Sequence, residues 1–159
     1  AINWINFYED INGIDDQSTF VKFLISIHST NDISEIINII SKNYENLIKF
    51  SSKNSEELFF ILYSIFDSNK TQNLEEDFKN IYDNRPSPSL FISENLKYSI
   101  KNSEQNKFLI YSIISLNNMT WRQTHPTHLK LLLEGFLKYK NGIIIKDIII
   151  EIFEDYKLI

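Results

Sequence analysis

Apolar residues return along this chain at the spacing of helical turns. Phe20, Phe23, Leu24 and Ile27 fall at i, i+3, i+4 and i+7. The pattern recurs in Ile33, Ile36, Ile37, Ile40 and Tyr44, in Leu58, Ile61, Leu62 and Ile65, and in Leu129, Leu132, Leu133 and Phe136. A helix with such a stripe has to bury it against another element. With only 3 Gly and 3 Pro in 159 residues, turn-rich β folds and Gly-dependent nucleotide folds are disfavoured. The reading is therefore all-α: one helical domain over 1–159, with about eight to nine helices.

Local signals place the helix ends. An opening segment carries Ile2, Ile5, Tyr8 and Ile11 and stops at Asn12–Gly13. Asp15 and Asp16 offer caps to the second helix. Asp32 and Glu35 stand at capping-box spacing before the third. Asn54 or Ser55 can cap a fourth, and Thr71 a shorter one with Leu74, Phe78, Ile81 and Tyr82. Asp83-Asn84-Arg85-Pro86-Ser87-Pro88 is the strongest breaker, since neither proline can continue a helix. Ser89 caps the next segment, with Ile92, Leu96 and Ile100. Asn102–Ser103 starts another, with Phe108, Tyr111 and Ile114. Pro126 suits a first helical turn, and Asn141–Gly142 stops that helix. Ile143–Ile150 is β-branched and has strand propensity. However, Asp147 and Glu151 interrupt it at helical spacing and no strong strand exists to pair with it, so it reads as helix.

After the opening segment the helices group in four pairs, starting near Ser18, Ser55, Ser89 and Pro126. These steps of roughly 35 residues lie in the range of helical-hairpin repeats. The expected architecture is a set of stacked antiparallel hairpins, HEAT-like or an irregular α-solenoid or bundle. Phe23, Ile40, Leu62, Phe78, Leu96, Phe108, Leu133 and Ile149 sit centrally in their stripes and are the expected core.

Composition narrows the function. The formal net charge of −5 opposes nucleic-acid binding and favours a basic protein partner. No cysteine is present, which removes disulfides, thiolate metal sites and cysteine nucleophiles. No apolar run reaches the length of a membrane span. A cytoplasmic protein with no membrane role is expected.

No motif for catalysis stands out. There is no phosphate loop and no GxSxG, and the serines fall at caps and joints. His125 and His128 sit three apart, but a metal site would need a third ligand, such as His28 or Glu134, from elsewhere. The structural reading makes His125 a helix-start residue and His128 a surface or edge residue. No metal, cofactor or enzymatic activity is expected.

Two surfaces are candidates for partner binding. The acids Glu75, Glu76, Asp77, Asp83, Glu151 and Asp155 fall largely on second helices of pairs, which in stacked hairpins line a common face. Tyr82 could anchor a partner there. Runs of acids are more often solvated helix faces. The second candidate is the segment holding Trp121, Arg122, His125 and His128, either a binding hot spot or, as the first reading, a Trp plug that holds the last hairpin.

That Trp-then-His loop, leading into Leu129–Leu133, resembles a segment of bacterial immunity proteins with HEAT-like helices. Trp121, His125 and His128 match, while the Glu usual in that segment is absent. The resemblance covers the last third of the chain. It implies an immunity protein of a contact-dependent or polymorphic toxin system, which neutralises a basic toxin domain by binding and occluding it without catalysis. The alternative is a helical-repeat scaffold or regulatory subunit that binds another protein.

Overall fold

The computed structural model describes residues 5–6, 10, 16–50, 53–66, 83–140 and 142–156. Among them no strand occurs, and seven α-helices stand where eight or nine were expected. These are α1 (Asp16–His28), α2 (Ile33–Phe50), α3 (Lys53–Phe66), α4 (Leu90–Asn102), α5 (Gln105–Leu116), α6 (Pro126–Lys138) and α7 (Gly142–Asp155). A short 3-10 turn, Trp121–Gln123, precedes α6. The opening segment falls largely outside the described residues, and the Thr71–Tyr82 segment wholly so.

Helix ends follow their local chemistry. Asp32 Oδ1 accepts from the Ser34 and Glu35 amides at 2.7 and 3.4 Å, while the Thr30 hydroxyl donates to Glu35. Ser89 accepts from Ile92 N–H, and Pro126 opens α6 behind a His125 cap. Two junctions differ from expectation. Ser103 ends α4 in the left-handed region (φ 59°), so α5 begins at Gln105. Lys140 (φ 52°) makes the turn after α6, and Gly142 is already helical in α7. Ile143–Ile150 is helix, because the Asp147 and Glu151 spacing lets Ile145, Ile149 and Ile152 form one buried stripe.

Helices α1–α2, α2–α3, α4–α5 and α6–α7 pack as neighbours in sequence, and α6 also packs on α3 and α4. Helix α7 returns to α1 and α2. One core accordingly joins Phe23, Ile27, Ile36, Ile40, Leu58 and Leu62 to Leu133, Ile149, Ile152 and Phe153. The Phe153 ring lies 5.6 Å from Phe23 and 5.9 Å from Phe59, and Lys146 Nζ reaches Asn31 Oδ1 at 2.6 Å. Packing thus extends beyond successive repeats, to which a linear stack is confined. Leu96, Phe108 and Leu132 form a smaller second core under α4 and α5. Of the expected core, Phe23, Ile40, Leu62, Leu96, Phe108, Leu133 and Ile149 are buried. Phe78 lies outside the described residues.

Candidate functional site

The chain holds only two arginines, Arg85 and Arg122, and both sit at one junction. Arg85 follows the breaker's Asp83, whose Oδ1 accepts from the Arg85 amide at 2.8 Å and from its Nε at 2.9 Å. The guanidinium pairs with Asp83 and with Glu57 of α3. Its Nη1 donates to the Arg122 carbonyl at 3.3 Å and to the Tyr156 hydroxyl at 3.4 Å. Arg122 in turn donates its backbone N–H to Asp155 Oδ2 at 2.6 Å. A planar fork with five donors can serve all these acceptors at once, which an ammonium cannot.

The electrostatics match the geometry. Hydrogen bonds from Arg85 hold the Asp83 carboxyl at about 2, with His125 contributing. Burial lowers the Arg85 pKa, but Asp83 and Glu57 outweigh it and the net direction is up. Burial and then Glu57 push the Tyr156 hydroxyl to about 12. The cluster is a clasp across α3, the 3-10 turn and the end of α7. Sequence reading treated Arg85 as part of a breaker. Its rarity beside fourteen lysines was the available signal.

The two sequence-derived candidates meet at this clasp. Asp83 and Asp155 belong to it, so their charges are turned to internal partners. Glu151 is exposed and shares a solvent stripe of α7 with Asp147 and Glu154. Glu75, Glu76, Asp77 and Tyr82 lie outside the described residues. Arg122 is exposed. Trp121 is partly buried and packs against both cores, which is the plug geometry.

His125 caps α6, its Nδ1 accepting from the Thr127 amide at 3.3 Å. His128 corrects the surface reading: it is only 1% exposed. Its ring faces α5, with Nε2 2.9 Å from Ser115 Oγ. Since Ser115 donates to the Ser112 carbonyl, Nε2 carries the proton. Nδ1 is buried without a hydrogen bond. Burial, then His125, lowers the His128 pKa to about 4, so the ring is neutral. A Ser–His contact also occurs in nucleophilic sites, but there an acid orients the His. Here the pair is buried and Nδ1 has no acid. Among the described residues no group of three or more His, Asp or Glu could hold a metal ion.

A third surface was not anticipated. The stripe Phe108, Tyr111 and Ile114 expected on α5 is split. Phe108, Ser112 and Ser115 face inward, while Leu109, Ile110, Ile113 and Ile114 are 38 to 73% exposed. The buried serines donate to carbonyls of their own helix, which removes the cost of burying a hydroxyl. Phe91 and Leu90 of α4 are also exposed, and the Phe91 ring meets Tyr111 edge-on at 6.3 Å.

The chain was compared with protein-family models, with curated proteins and with solved structures. It matches none of them. No helix among the described residues is long and apolar enough to cross a membrane.

Proposed function

We propose that this protein works by binding another protein, as an immunity protein that occludes a basic toxin domain. One observation carries the reading. Asp147, Glu151 and Glu154 form an exposed stripe on α7 at i, i+4 and i+7, with no ion pair to any of them among the described residues. Among the described residues of α7 the one cation, Lys146, is bonded to Asn31. Clustered, uncompensated carboxylates draw a basic surface over long range and speed its encounter. The net charge of −5 and the resemblance around Trp121–His128 support the same reading.

The test is titration against the purified product of the adjoining gene. Stoichiometric inhibition is expected, with an association rate that falls as salt rises. Changing Asp147, Glu151 and Glu154 together to Lys should slow association at least about tenfold at low salt, with unchanged circular dichroism. An association rate indifferent to both salt and the triple change would remove α7 as the interface. A stable complex with a protein that has no toxic activity would favour the scaffold alternative.

A further inference from the structure

Helix α5 is built inside out, and the chemistry of its outer face singles out what covers it. Ser112 and Ser115 join Phe108 on the inner side, and Leu109, Ile110, Ile113 and Ile114 line the outer, continued by Phe91 of α4. Exposed large apolar residues are normal when scattered singly, whereas a contiguous patch of several hundred Å² marks an interaction surface. Ile113 is 73% exposed and Ile110 55%, and the Phe91 ring joins the α5 face through Tyr111, so these side chains are a group and not singly scattered.

Charge decides between occupants. From Phe108 to Trp121 the chain has no charged side chain. Across α4 and α5 three lysines stand against two glutamates, so the hairpin is nearly neutral while the whole chain carries −5. Two of those lysines pair locally, Lys97 with Glu94 and Lys107 with Glu104. A basic partner gains nothing from such a face. Two copies of an acidic chain, by contrast, repel least through it. Homodimer interfaces are more apolar and depleted of charge at their core, whereas non-obligate interfaces are about as polar as the rest of the surface. We infer that the α4–α5 face is the two-fold contact of a homodimer, with α5 packed on α5 of a second copy.

The absence of cysteine from the chain makes the test direct. Sedimentation equilibrium of the full chain at micromolar concentration should give twice 18.8 kDa. Ile113→Glu should weaken self-association by at least about a hundredfold, because two carboxylates would be buried against each other. Ile113 is exposed in the protomer, so circular dichroism should not change. If the glutamate variant does lose helix, Ile113→Gln carries the same comparison. A single cysteine, Ile113→Cys, should form a disulfide-linked dimer on mild oxidation. A monomer at the highest soluble concentration would overturn the inference, as would a dimer that withstands a folded Ile113→Glu or Ile113→Gln variant. These outcomes are independent of whether α7 binds a toxin.

Discussion

Helix α2 sends Ile36 and Ile40 inward and Glu35, Asn38 and Lys42 outward, whereas α5 sends Ser112 and Ser115 inward and Ile110, Ile113 and Ile114 outward. The first arrangement belongs to a core of fifteen buried residues drawn from α1, α2, α3, α6 and α7 with Tyr156, and the second to a core of three. Burial of apolar area stabilises by about 25 cal/mol per Å², and a serine side chain brings little of it. The α4–α5 hairpin therefore depends on Leu96, Phe108 and Leu132, helped by polar ties. The Tyr139 hydroxyl donates to the Ser99 carbonyl at 3.2 Å, Lys138 Nζ reaches the end of α4, and His128 holds Ser115. Regions with few buried contacts open first, so the hairpin is the part that loosens while the larger core stays closed.

Cutting one core at a time tests this most severely. Leu62→Ala should cost about 2–5 kcal/mol and Phe108→Ala about 3–5 kcal/mol where each is felt. Hydrogen exchange should tell them apart. Phe108→Ala should deprotect α4 and α5 while α2 and α3 keep their protection, and Leu62→Ala should deprotect all helices together. Equal patterns from the two variants would mean that the molecule is a single cooperative unit.

Acid should act next. The folded protein keeps His128 neutral down to about pH 4, while the unfolded chain takes up that proton near pH 6.5. Stability from this residue is full above about 6.5 and declines as pH falls to about 4, by about 2–3 kcal/mol. Denaturant midpoints measured across that window should slope in the wild type and flatten in His128→Gln. The smallest effect expected is that of Gly135→Ala. A Cβ there would lie 2.1 Å from Phe108 Cε2, inside a ring that is fully buried, and overpacking of this kind costs about 1–3 kcal/mol. Phe108→Leu in the same chain should recover part of the loss in a thermal melt.

The all-helical class and most of the core were legible because apolar spacing reports burial wherever a helix has one polar side. Ile145, Ile149 and Ile152 are the clearest case: two acids among the isoleucines were enough to reject a strand. Helix α5 was not legible for the same reason reversed. With apolar residues on nearly every side it has no phase to read, and serines that bond to their own helix can replace aliphatics inside. His128 was missed because burial of a neutral imidazole depends on Ser115 arriving from another helix, which spacing within α6 does not encode. For the candidate site, Asp83 and Asp155 read as acids of a partner-facing surface, whereas the structure pairs them inside the clasp. The contact from Arg85 to Glu57 and Tyr156 is long-range, and an acid that is already paired looks like a free one in sequence.

The return of α7 to α1 and α2 also sets a schedule for synthesis. Phe153 closes a ring cluster begun by Phe20, Phe23 and Phe59, and nearly the whole chain separates the first of these from the last. At about 5–20 residues per second on a ribosome, the early hairpins wait on the order of ten seconds with one apolar side open to solvent or to a chaperone. Until α7 has been made, Ile145, Ile149, Ile152 and Phe153 are missing from the larger core, and that side stays unsealed.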